Sequence, residues 1–137
     1  MKFLQLSLFL VLSSALFAQT EPNVKKDAQP PLRFTVLEIE RQNIPYGSED
    51  LFVFEFKNTS KKAAVITNVQ TSCGCTAAEK PEAPIRKGKK GVIKVHYDTK
   101  RVGGFTKTIT VFSNVGDPIV LTIKGTVLSP SDSPVIN

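Results

Sequence analysis

Residues 51–57 read LFVFEFK. Phe52, Phe54 and Phe56 fall on every second position and share one face, while Glu55 and Lys57 share the other. That is the period of a β-strand, 2 residues, and not the 3.6 of a helix. Four more runs repeat the pattern. In AAVITNVQT (63–71), Val65 and Val69 share a face with Thr67 between them. In VIKVHYD (92–98), Ile93, Val95 and Tyr97 oppose Lys94, His96 and Asp98. In FTKTITVFS (105–113), Phe105, Ile109 and Val111 oppose Thr106, Thr108 and Thr110. In IVLTIKGTV (119–127), Ile119, Leu121, Ile123 and Val127 oppose Thr122, Lys124 and Thr126. LRFTVLEIE (32–40) reads as the first strand, with a less regular pattern. β-Branched and aromatic residues dominate these runs, as a pleated, half-buried surface favours.

Turn residues separate the runs: NTSKK (58–62), RKGKKG (86–91), KRVGG (100–104) and NVGDP (114–118). Each carries Asn, Gly, Asp or Pro where a tight reversal needs it. Short strands with one apolar face suggest two packed sheets. The fold expected is all-β, an immunoglobulin-like β-sandwich of about seven strands over residues 32–128. It is not of the antibody type, since the chain has no tryptophan and only two cysteines, far too close to join two sheets.

The first eighteen residues, MKFLQLSLFLVLSSALFA, have a different character. Lys2 precedes an apolar run from Phe3 to Leu12, and small residues follow at Ser13, Ser14, Ala15 and Ala18. This is the layout of a secretory signal peptide, residues 1–18, cut after Ala18, with Ala15 as the alternative. An N-terminal membrane anchor is the rival reading, but the run is short for a span of roughly 20 residues. No cysteine follows it to carry a lipid. Residues 19–31, QTEPNVKKDAQPP, read as a flexible leader, and 129–137, SPSDSPVIN, as a flexible tail. Loss of Lys2 leaves seventeen basic against twelve acidic residues, a net charge of +5. The expectation is an exported chain, periplasmic or secreted, with no transmembrane segment once the signal is removed.

FEFKNTSKKAAVITNVQTSCGCT, then IRKGKKGVIKVHYDT, GGFTKTITVFSN and LTIKGTV, together resemble a bacterial family of exported proteins of unknown function (DUF1573) whose signature is Ser-Cys-Gly-Cys-Thr. The family is similar in fold to the ASH, Hydin and PapD-like immunoglobulin domains. The resemblance covers about residues 33–128. It departs after the first strand, where family members often carry Asp-Phe-Gly and this chain reads LEIERQNIPYG (37–47). It implies a fold and an exported location, and it supplies no activity.

The motif itself is TSCGCT, residues 71–76, which holds both cysteines. Four uses are open for Cys73, Gly74 and Cys75. As a structural staple, the pair reaches the roughly 4.4–6.8 Å Cα separation of a disulfide only if the chain bends at Gly74, and glycine allows that bend. A three-residue loop yields only about 1.5 kcal/mol in the loop-entropy model, so stability is a weak reason for the bond. As a redox pair, the motif follows a strand rather than opening a helix, and Lys80 is the nearest cation in sequence. As a metal site, Cys73 and Cys75 suit a soft, low-coordinate ion such as Cu(I) better than zinc, which wants four ligands. His96 is the only further soft donor after the signal, and its alternation puts it on a polar face. As local architecture, the hydroxyls of Thr71, Ser72 and Thr76 can bond turn backbone and shape a loop for partner binding.

Basic residues gather in the turns, at Lys61-Lys62, Arg86-Lys87, Lys89-Lys90 and Lys100-Arg101. They serve solubility and edge protection, or dock a protein or an anionic envelope polymer. Nucleic acid is disfavoured by export and by the lack of aromatics among the basic turns. Phosphate-cradling glycine loops and nucleophile elbows are both missing from the sequence, and the lone histidine has no obvious serine and acid partners. Asn58-Thr59-Ser60 matches a glycosylation sequon but reads as a turn. The reading is a non-enzymatic binding or assembly module without a firm cofactor. The alternative is a thiol protein that handles redox equivalents or Cu(I).

Overall fold

The computed structural model describes residues 30–134; the expected signal peptide, the leader up to residue 29 and residues 135–137 lie outside the described residues. Eight strands form, and there is no helix among the described residues: β1 Leu32–Phe34, β2 Glu38–Ile44, β3 Leu51–Asn58, β4 Ile66–Thr71, β5 Thr76–Glu79, β6 Lys90–Tyr97, β7 Gly103–Ser113 and β8 Ile119–Val127. They make two four-stranded sheets, ordered β1-β3-β6-β5 and β2-β8-β7-β4. Every pairing is antiparallel except β2 with β8, which is parallel.

The alternation read from LFVFEFK decides which residues fill the space between the sheets. Phe52, Phe54 and Phe56 are fully buried, with Ile93 and Val95 beside them on β6 and Ile109, Leu121 and Ile123 on the facing sheet. Rings meet along this layer. Phe105 stacks on Tyr97 at 3.8 Å between centroids and meets Phe52 edge-on at 6.2 Å. Phe34 lies 5.1 Å from Phe56. At the rim of this layer, half-buried Arg41 lies over the Phe52 ring at 4.9 Å and pairs with Asp50.

Three features differ from the reading of the sequence. LRFTVLEIE is two strands in different sheets rather than one. Thr35 N–H still donates to the Glu55 carbonyl in the first sheet (2.9 Å), while the Leu37 carbonyl accepts from Thr122 N–H in the second (2.8 Å). Val36 and Leu37 are exposed at the crossing, so the apolar run does not mark a continuous buried face. In β4 the ladder to β7 shifts between Ile66 and Asn68. This irregularity absorbs one residue, and the inward positions become Ile66 and then Val69 instead of Val65 and Val69. The third is β5, TAAE, a short and alanine-rich strand that propensity does not signal.

Within the tail read as flexible, Ser129–Ser133 folds into a turn. The Ser129 carbonyl accepts from Ser133 N–H at 3.0 Å, and Ser133 Oγ accepts from Tyr46 N–H at 2.8 Å.

Gly91 lies directly across from Phe56 in the β3–β6 ladder. A Cβ there would come within 2.5 Å of the ring, which is held between the sheets and cannot move aside. Gly91→Ala is therefore expected to lower stability by about 1–3 kcal/mol, the usual cost of overpacking. Denaturant unfolding of the two proteins measures it; an unchanged midpoint would mean the ring has room that the structure does not show.

Candidate functional site

β4 and β5 are the edge strands of opposite sheets on the same side of the sandwich. The chain passes from one to the other through Ser72–Cys75, so the Cys-Gly-Cys motif is a crossover between layers. Cys73 and Cys75 form a disulfide, with Cα atoms 5.3 Å apart. Backbone bonds fix both ends of the crossing. Ser72 N–H donates to the Thr108 carbonyl on β7 (3.0 Å), and the Cys75 carbonyl accepts from Asp98 N–H (2.9 Å) after β6.

The flanking hydroxyls are used locally. Thr71 Oγ1 donates to the Cys73 carbonyl at 3.1 Å, and Ser72 Oγ accepts from Thr108 N–H at 3.1 Å. The two sulfurs differ. Cys75 is buried against the core, while Cys73 is half-buried and Gly74 exposed. Cys73 Sγ lies 3.3 Å from Cys75 N–H, which donates to it, and 3.5 Å from Thr76 Oγ1.

Gly74 is not in the left-handed region, and a Cβ there would meet nothing within 4 Å. The bend that brings the cysteines together does not require glycine.

Lys80, nearest in sequence, is not near in space. β5 runs from Thr76 to Glu79, so Lys80 stands about 16 Å along the strand from Cys75 at roughly 3.3 Å per residue. On the inward row of β7, half-buried Lys107 adjoins Thr108, the residue that Ser72 bonds. His96 turns toward Glu79 on the outer face, Nε2 to Oε1 3.2 Å, rather than toward the disulfide. Burial pushes the neighbouring Tyr97 hydroxyl above its usual pKa, with Arg101 opposing and Asp98 adding to the rise. Among the described residues no group of three or more His, Cys, Asp or Glu side chains is placed to hold a metal ion.

A second arrangement lies at the opposite end of β3. Asn58 is fully buried, and every one of its polar groups is used. Its Nδ2 donates to the Lys62 and Ile85 carbonyls at 2.7 and 2.8 Å. Its Oδ1 accepts from Ser60 N–H and Ser60 Oγ at 2.9 and 2.7 Å. The Asn58 backbone bonds Lys89 and Gly88. Asn58 thus ties the basic turn 58–62 to the basic turn 86–91, two segments the sequence keeps apart, and the sequon is a turn whose asparagine is buried.

The DUF1573 family, described as proteins of unknown function, matches residues 32–127. The chain belongs to this family. DUF1573 domains carry no assigned activity in that description, and no curated protein matches the chain in sequence. Among solved structures, the chain is similar to a protein of unknown function from Porphyromonas gingivalis (TM-score 0.60, 13% identity, over 69% of this chain and 46% of that one). It is also similar to the ASH/PapD-like domain 7 of human CEP192 (TM-score 0.57, 8% identity, over 80% and 96%). A third is the VesB protease of Vibrio cholerae (TM-score 0.56, 11% identity, over 70% and 32%). The chain spans less than half of the first and third. At these identities the likeness concerns the fold alone: this DUF1573 domain is an immunoglobulin-like sandwich, similar in fold to a PapD-like domain.

Two outcomes are expected for the motif. Gly74→Ala should leave the disulfide intact and change stability by less than about 0.5 kcal/mol, as for an exposed, unstrained position. The Cys73→Ala/Cys75→Ala variant should keep one cooperative unfolding transition, weakened by no more than about 2 kcal/mol. Thermal and urea unfolding of both variants decides this. Failure of the double variant to fold would make the bond a structural staple.

Proposed function

We propose that the chain is an exported, non-enzymatic immunoglobulin-like module that binds an acidic partner or joins an assembly through it. The observation that carries this reading is the charge at the end of the sandwich knitted by Asn58. Lys57, Lys61, Lys62, Arg86, Lys87, Lys89 and Lys90 all crowd there. Of these seven, only Lys90 has a carboxylate within 4 Å among the described residues, Glu55 at 3.5 Å. Like charges held together by a buried asparagine cost self-repulsion, and an acidic partner removes that cost while steering its own approach.

Exported protein, purified with its N-terminus sequenced, should begin at Gln19. Chemical cross-linking in its own compartment at low salt should trap a discrete partner, and the yield should fall at high salt and in Lys61→Glu/Lys62→Glu. A chain that retains Met1, or a partner held equally well by the charge-reversed variant, would overturn the reading.

A second reading rests on the unlike sulfurs. An outside thiolate would attack half-buried Cys73 Sγ, form a mixed disulfide and release Cys75 as thiolate; a second thiol would then release Cys73 reduced. After the second exchange the Cys75 N–H, which donates to Cys73 Sγ in the closed pair, would face the freed Cys73 thiolate. The opened pair is a two-sulfur donor set that suits Cu(I) over Zn(II). In a glutathione series, the pair should open at potentials above about −300 mV, and Cys73 should alkylate before Cys75. A bond that stays closed there is structural.

A further inference from the structure

β5 ends at Glu79, opposite Lys94 on β6. The next stretch of β6, Lys90–Ile93, therefore has β3 on one side and no strand on the other. The chain does not fill that place. After β5 it turns away through Pro81 and Pro84, which have no N–H to give, and Ile85 pairs its backbone with Ala64 instead. Between this detour and β6 lies an open groove of about 590 Å³.

The groove has an apolar floor that includes Val92 and Ile85, and a cationic rim. Five cations line it, Lys80, Arg86, Lys89, Lys90 and Lys94, against one carboxylate, Glu79. Glu79 offsets little of this, since it lies 3.9 Å from Lys94 and also faces His96. Lys80, Arg86 and Lys89 have no carboxylate within 4 Å among the described residues.

We propose that this groove takes an extended acidic protein segment, which adds as a short strand beside Lys90–Ile93. The proposal rests on the binding-module reading and gives its partner a chemistry. An unpaired strand edge is a template for another backbone. Within the free stretch Lys90 and Val92 share the outer face of β6, so the fitting sequence places an apolar residue opposite Val92 and an acidic one two positions away, opposite Lys90. A phosphate or uronate polymer would use the cations but neither the free edge nor the apolar floor, and so fits the groove less fully.

The test uses the whole exported chain and a fluorescein-labelled peptide, Gly-Asp-Thr-Val-Thr-Asp-Gly, followed by anisotropy at near-physiological salt. Saturable binding is expected, about tenfold or more weaker in Arg86→Glu/Lys89→Glu, a loss of some 1.4 kcal/mol. Both replaced residues are exposed, so the melting temperature should hold. The same peptide methylated on alternate backbone nitrogens should bind at least tenfold more weakly, because a methylated amide cannot join the ladder. Absence of binding, equal binding to the reversed variant, or equal binding of the methylated peptide or of polyglutamate would each overturn the added strand. A chain that ignores the peptide yet still cross-links its partner would sink the groove and leave the module reading standing. Loss of both would sink both.

Discussion

Three rings on alternate residues of one strand set the terms for everything around them. Phe52, Phe54 and Phe56 must leave water together, and only a second sheet laid about 10 Å across from the first covers all three. Burying such side chains is worth about 1.5–3 kcal/mol each, so the pairing of the sheets follows from this strand more than from any loop. The neighbours adapt to the rings. Gly91 is bare because Phe56 fills the space above it, Phe105 and Tyr97 stack at the end beyond Phe52, and Arg41 closes the outer rim.

Two stacked sheets without helices oblige the chain to change layers. Of its five changes of layer, two join edge strand to edge strand, β1 to β2 and, on the opposite side, β4 to β5. The β4–β5 crossing carries the disulfide. A covalent bond invites the assumption that it holds the fold, and the magnitudes argue otherwise. Closing a three-residue loop is worth about 1.5 kcal/mol. At the other end Asn58 makes four side-chain hydrogen bonds from a fully buried position, each worth about 0.5–1.5 kcal/mol. The asparagine is the stronger fastener.

The fold was legible wherever alternation met burial. Phe52 to Phe56, Ile93 to Tyr97, Phe105 to Val111 and Leu121 to Val127 point inward as their period of two indicates. It was illegible where a residue is spent on geometry. The irregularity at Thr67 moves the inward face of β4 by one position, and nothing in AAVITNVQT marks it. The crossing at Val36 and Leu37 looks apolar enough to be buried strand. β5 exists because β6 offers it a ladder, a tertiary cause that TAAE cannot announce. The site was half legible. TSCGCT stands out in the sequence, and the unlike exposure of its sulfurs does not. The basic turns are plain to read, but their joining depends on Asn58, and the groove depends on where β5 stops.

The parallel ladder between β2 and β8 has a temporal consequence. It joins residues 38–44 to residues 122–127, nearly the first described strand to the last. β8 also occupies an inner place in its sheet, between β2 and β7. A chain lacking those final residues leaves β2 without any neighbour and β7 with one edge open. The second layer therefore cannot assemble progressively from the N-terminus. Non-local pairing of this kind makes for slow closure, and the second layer stays incomplete until β8 has arrived. That delay leaves the edges of β7 and β4 exposed to mispairing in the interval.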